Sequence, residues 1–427
     1  MVAPRMGLPH GRALVALAQS WPPALAAVVL VVLAHFVLRR VWREQFEPRA
    51  APIVPCAAAA LACLALFNPF FDSRNVDTHA RFLQAIRADA WTAFDPSEFQ
   101  QKTGAWTHTI GGRRIAFPYA PFFHLAAWPL AHLFGDVGAV KAAAASSLGL
   151  TLLLAFGLAR SLGLEGRWAI LGQCLLALLP VTTSRLTLAL FPTLFGQTLE
   201  LLLGLHLVRR FAHLDGARDA AAAVMFLFVA QAGYTGSLFN VAALVAFFAA
   251  FQAMAGEPRR ALRLVMAYAV AAAAVAVLLY ARFIPSLIQD VLPHLRSPVG
   301  AGDAAALHPL LRLTTFYDAL LPGLALLGVA LSAGAPPHAR RYFVAALSAG
   351  AALLGLRSVA QTLFWDAKDV ELLALPVVAL AVCSLRRLWV SGTAMRLGAL
   401  AALTAVLLLC VSKDVALYAA RFAAIDR

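Results

Sequence analysis

The chain has 427 residues, 62% of them hydrophobic and only 13% charged, with a mean hydropathy of +0.78. That is too apolar for a water-soluble domain, and the apolar residues fall in runs of about 20, the length that crosses a bilayer as a helix. Runs such as AALVAFFAAF do not alternate, which excludes a membrane barrel, and the formal net charge of +14 is divided into short arginine clusters at the ends of apolar runs, which excludes a nucleic-acid surface.

Taken in chain order, helices are predicted near 17–38, 51–67, 138–159, 168–182, 193–208, 219–233, 237–255, 262–281, 311–333, 342–357, 372–389 and 397–412. The first is read as a retained helix rather than a signal peptide, because its apolar run is long and lacks a small-residue cleavage site. Basic clusters at Arg39–Arg43, Arg160 and Arg167, Arg209–Arg218, Arg259–Arg263, Arg340–Arg341 and Arg386–Arg396 mark one side of the membrane as cytoplasmic. The other side then carries a long insert at 68–120, short turns near Thr183–Pro192 and Gln231–Ser237, and the segments Arg282–Pro309 and Arg357–Val370. Pro121–Phe134 is short for a span and interrupted by His124, Pro129 and His132, so it is read as a re-entrant or interfacial helix. The expected fold class is all-α: a polytopic transmembrane bundle of about 11–13 helices forming a single domain over 1–427, with 68–120 as its elaborated outer loop. The scarcity of lysine against arginine and alanine fits a GC-rich bacterial genome.

The insert carries most of the polar chemistry. Asp72 and Asp77 follow the second helix closely, and Thr78–Trp91 has helical spacing with Phe82, Leu83, Ile86 and Ala90 on one side and Arg81, Arg87 and Asp89 nearer the other. This predicts an amphipathic helix lying on the membrane surface, with Asp77 just ahead of it, either as an N-cap or as a general base at the water–lipid boundary. The five cysteines, Cys56, Cys63, Cys174, Cys383 and Cys410, lie in apolar runs without metal-ligand spacing and are read as small core residues. The carboxylates of Asp72 and Asp77 suit Mg²⁺ or Mn²⁺, but two carboxylates five residues apart assign no metal, and the cofactor stays open.

An early outer loop with an acidic residue after a helix, a membrane-parallel helix and the exit FPYAPFFHLAAWPLAHLFGD together resemble the GT-C superfamily of membrane glycosyltransferases. The likeness continues through VKAAAASSLGLTLLLAFGLARSLG, LLPVTTSRLTLALFPTLFGQTLELLLG and WDAKDVELLALPVVALA. It departs where Tyr119 and Ala120 separate Pro118 from Pro121, which stand adjacent in many relatives, and where two aspartates occupy the acidic region.

The resemblance implies an inverting transferase that moves a sugar from a polyprenyl-phosphate donor to an extracytoplasmic glycan, lipid or protein acceptor, in a bacterial inner membrane with the site facing outward. Asp77 is then the expected base, with Asp72 as its competitor, and partial burial against lipid would raise the pKa of such a carboxylate. His79 and His124 are candidates for acceptor or phosphate, Tyr119 for stacking on a sugar beside Trp106 and Trp128, and Arg185, Arg357 and Lys368 for the leaving phosphate, with Glu371 near Lys368 as its partner. The alternatives are ordinary interfacial histidines, an aromatic belt and arginines snorkelling to headgroups. At the level of the whole chain the rivals are a transporter or lipid-linked-sugar flippase, which calls for ionisable groups near helix centres, and a noncatalytic assembly subunit. The expected partners are the lipid-linked donor, the acceptor and membrane lipids, with no nucleic acid.

Overall fold

The computed structural model describes residues 10–47, 50–68, 71, 75–110, 112–116, 119–294, 309–357, 359 and 368–422, with the backbone alone for 10–17, 108, 309–312, 368–370 and 422. It is a polytopic helical membrane protein. Among the described residues seven helices are long and apolar enough to cross a membrane, or eight if one bent pair counts as a single span, with two shorter apolar helices besides.

Helix α1 (His10–Val41) ends at Arg39 and Arg40 and is followed by the short α2 (Arg43–Phe46). Helix α3 (Ile53–Leu66) leads to the insert, which contains α4 (Val76–Ala88), α5 (Ser97–Thr103) and an antiparallel hairpin of β1 (Thr107–Ile110) and β2 (Arg113–Ala116). Helix α6 (Phe122–Ser161) follows, then α7 (Gly166–Ala177), α8 (Pro180–Thr187), α9 (Phe191–Arg210), α10 (Ala217–Gly233), α11 (Ser237–Met254) and α12 (Pro258–Val275). The last third holds α13 (Ile284–Ser286), α14 (Pro309–Tyr317), α15 (Leu320–Leu331), α16 (Pro337–Arg357), α17 (Lys368–Val390) and α18 (Thr393–Phe422).

Composition decides which helices sit in the middle. The apolar window of α6 is 94% buried, against 28% for α1 and 17% for α18. Gly138, Gly149, Ser146, Ser147 and a run of alanines give α6 a slim surface that lets α1, α3 and α9 pack closely. The outer helices instead expose Phe36 and Val37, Met266 and Val270, or Leu408 and Val415, which is the surface a hydrocarbon solvent selects. Helices α15 and α17 approach backbone to backbone, since a Cβ on Gly328 would lie 2.0 Å from the Leu380 carbonyl oxygen.

Several expectations need correction. Besides its helices the insert holds a β-hairpin that was not expected, in which Ile110 pairs with Arg113. The predicted helix 311–333 breaks at Asp318, whose backbone turns left-handed (φ 54°) and whose Oδ1 accepts from the N–H groups of Leu320 (2.6 Å) and Leu321 (3.0 Å), capping α15. Half of the turn expected at Thr183–Pro192 is the end of helix α8, which is bent 47° from α7. The segment after Arg282 carries helical turns through His294. The Pro121–Phe134 stretch is helical from Phe122 and joins the rest of α6 through a kink at Gly135 (φ 68°, ψ 174°).

Candidate functional site

The insert is fastened to the α8–α9 turn at two neighbouring points. Asn75 Nδ2 donates to the Leu188 carbonyl (3.1 Å), and His79 Nε2 lies 2.9 Å from the Ala189 carbonyl. Ala189 is fully buried and left-handed (φ 51°), a conformation that a Cβ disfavours. Helix α4 presents His79, Phe82, Leu83 and Ile86 inward and packs on α6, so its apolar face is covered by protein instead of resting on lipid. Ala90 falls in a following 3₁₀ turn and is exposed.

His79 and His124 are both buried and meet ring to ring, with His79 Nδ1 3.2 Å from His124 Nε2. Donors and acceptors fix the tautomers. The Ala189 carbonyl only accepts, so His79 carries its proton on Nε2 and offers a bare Nδ1, to which His124 Nε2–H donates. His124 Nδ1 is then a lone pair, and it is a buried atom without a hydrogen-bond partner. Burial pulls the pKa of His79 down to about 4, so the imidazole is neutral at physiological pH. Both nitrogens of His79 are engaged in holding the loop, and His124 is engaged through Nε2 alone.

Aromatic rings surround this pair. Tyr119 stacks on Trp106 with centroids 3.7 Å apart and planes 10° apart, and Phe82 meets the edges of both. Each face of the Tyr119–Trp106 contact is thus used on the other ring. Trp128 packs on the same cluster.

Asp77 lies in the first turn of α4, exposed, and it makes no hydrogen bond or ion pair with the described residues. The N-cap position belongs to Asn75, two residues earlier, so the capping role expected of Asp77 falls away. Its field reaches Lys141 of α6, which stands over the Phe67 ring at 5.4 Å. Asp72 lies outside the described residues.

A second polar group sits inside the bundle. Arg185 on α8 donates from Nε to Glu371 Oε1 of α17 (2.8 Å) and from Nη1 to Gln197 Oε1 of α9 (2.7 Å). Gln197 Nε2 in turn donates to the Glu371 backbone carbonyl (3.2 Å). Arg185 is 1% exposed and Arg357, in the last turn of α16, is fully buried, so neither snorkels to a headgroup. Glu371 takes Arg185 as a partner; the Lys368 side chain lies outside the described residues. One turn along α9, the buried Glu200 accepts from Asn240 of α11 (3.1 Å) and feels the charge of Arg185.

Lys141 and Glu200 are residues that the sequence reading passed over. Both were visible as lone charges within long apolar runs, VGAVKAAAASS and FGQTLELLLG, where a charge is costly and therefore informative. Among the described residues no group of three His, Cys, Asp or Glu side chains is placed to hold a metal ion.

No protein-family model matches this chain, and no curated protein is similar to it.

Proposed function

We propose that the chain is a membrane glycosyltransferase of the GT-C kind, transferring a sugar from a polyprenyl-phosphate donor to an acceptor on the outer side of the membrane with inversion. The observation that carries this reading is Asp77: an exposed carboxylate without a hydrogen-bond partner, on a loop helix fastened to the interior by Asn75 and His79. A general base needs such freedom to reach an acceptor hydroxyl and such anchoring to keep its position. In this reading Asp77 takes the acceptor proton as the anomeric carbon is attacked and the lipid phosphate leaves. Lys141 of α6 adds positive potential beside Asp77. Arg185, tied to Glu371 and Gln197, orders the helices behind the loop and is better suited to positioning than to phosphate contact.

The test is transfer by purified protein in lipid with a panel of polyprenyl-phosphate sugars, comparing wild type with Asp77→Asn and Asp72→Asn. A loss of about 10²–10⁴ in rate for Asp77→Asn alone is expected. Full transfer by both variants would sink the base assignment. A second reading rests on Glu200, an ionisable group in the middle of α9 bound to Asn240 across the bundle, which is where a transporter places its path. Absence of transfer with every donor, together with substrate flux that Glu200→Gln abolishes, would favour that reading.

A further inference from the structure

A half-open groove of about 700 Å³ runs along the bundle at the end opposite the insert. Its floor is α6 and α9, and its walls are α1, which packs on α6, and α10, which packs on α9. Along its length it is aliphatic and aromatic, with Val37, Leu38, Leu154, Leu199, Leu202 and Phe226 among its lining residues. From Phe195 to Arg210 the floor helix advances about 22 Å at 1.5 Å per residue, more than one leaflet of hydrocarbon.

The chemistry changes at one end. Arg210 and Arg218 stand there, with Asp219 3.9 Å from Arg210, so two guanidiniums face one carboxylate. One turn further in, on the same face of α9, His206 lines the groove. Its ring stacks on Phe226 with centroids 4.4 Å apart, it is 4% exposed, and its Nε2 is buried without a hydrogen-bond partner. A buried polar atom left unpaired beside a groove points to something that completes it.

We propose that this groove binds an anionic phospholipid, with the phosphate between Arg210 and Arg218, an ester oxygen at His206 Nε2 and the acyl chains along Val37, Leu154 and Leu202. The order of the groups matches the order in the lipid: phosphate outermost, glycerol esters one step deeper, hydrocarbon beyond. The arginine-rich end selects the charge, since guanidinium binds phosphate through paired N–H groups. Two cations against one carboxylate leave a positive balance that a zwitterionic headgroup satisfies less well. The site lies apart from the insert, and its occupancy does not depend on which reaction the insert performs.

The test uses the full chain in neutral detergent, equilibrated with phosphatidylglycerol or phosphatidylcholine, with retained lipid counted by native mass spectrometry. Wild type is expected to hold phosphatidylglycerol about tenfold more strongly, the size of one charge-assisted contact. The double variant Arg210→Ala/Arg218→Ala should bring the two lipids within about twofold. His206→Phe, which keeps the stack on Phe226 and removes the ring nitrogens, should weaken both lipids alike while leaving the preference in place. Equal retention of the two lipids by wild type would overturn the proposal, as would a preference that survives loss of both arginines. Competition by inorganic phosphate as effective as that by the lipid would also overturn it, because the hydrocarbon groove would then contribute nothing.

Discussion

His79 Nε2 meets the backbone carbonyl of Ala189 at 2.9 Å across 110 residues of sequence, joining the insert to the turn between α8 and α9. Nε2–H donates to the carbonyl whether or not the ring is charged, so it is burial, which favours the neutral ring, that gives docking a pH dependence. His79 has a pKa of about 4 in place and 6.5 when solvated. Between those values the undocked state binds more protons, so docking is complete above the solvated pKa and weakens as pH falls through the window. Moving from about pH 7.5 to about pH 5 should cost about 2 kcal/mol, or roughly thirtyfold faster exchange of the α4 amides after correction for intrinsic rates. Hydrogen exchange at the two pH values checks this, and His79→Gln should reduce the dependence, leaving what the buried His124 contributes. Protection that does not change with pH would mean another contact governs docking.

Ala189 holds its carbonyl toward His79 by adopting a left-handed backbone, at a cost of roughly 1–2 kcal/mol for an L-residue. Ala189→Gly should therefore be neutral or stabilising by up to about 1 kcal/mol, the relief being offset by the greater freedom of glycine when unfolded. Ala189→Val should lose about 2 kcal/mol or more and loosen α4, since β-branched residues tolerate this conformation least and the site is fully buried. Thermal unfolding of the two variants in one detergent separates them.

Glu371 and Arg185 are both buried, so removing Glu371 leaves Arg185 without its counter-charge. Glu371→Ala is expected to cost about 3–5 kcal/mol, because Arg185 would keep Gln197 as its hydrogen-bond acceptor and lose its counter-charge. The double variant Arg185→Met/Glu371→Leu should recover most of that loss. A double-mutant cycle on unfolding midpoints measures the coupling, and additive effects would show that the pair is energetically slack.

Gly328 and Gly323 share α15 and predict opposite outcomes. A methyl group on Gly328 would meet the Leu380 carbonyl at 2.0 Å, a backbone atom that cannot rotate away, whereas Gly323 has no other atom within 4 Å of such a group. Gly328→Ala should cost up to about 3 kcal/mol by forcing α15 from α17. Gly323→Ala should be neutral or stabilising by up to about 1 kcal/mol from helix propensity. Unfolding midpoints of both variants, measured together, check the assignment of this interface.

The spans were legible because hydrocarbon length and arginine clusters leave few choices, and α9, α11 and α17 sit close to where the apolar runs put them. The amphipathic helix after Asp77 was legible from Phe82, Leu83 and Ile86, but what covers its apolar face was not. Periodicity says that a face is apolar and is silent on whether lipid or α6 buries it. The pairing of Arg185 with Glu371 joins residues 186 positions apart, beyond any local pattern. The break at Asp318 could have been found, since an aspartate ahead of Leu320 and Leu321 is a capping signal within an apolar run.

The insert is held by partners that come much later in the chain: Ala189 for His79, Arg282 for Asp95 and Asp290 for Arg113. A ribosome building this protein completes the insert long before it has made any of those anchors. The loop therefore emerges as an unsettled segment and takes its shape only after α8 and α9 have been made, with its hairpin tied down later still. Truncations ending before Leu188 should accordingly carry all of the insert's sequence and little of its protection from protease.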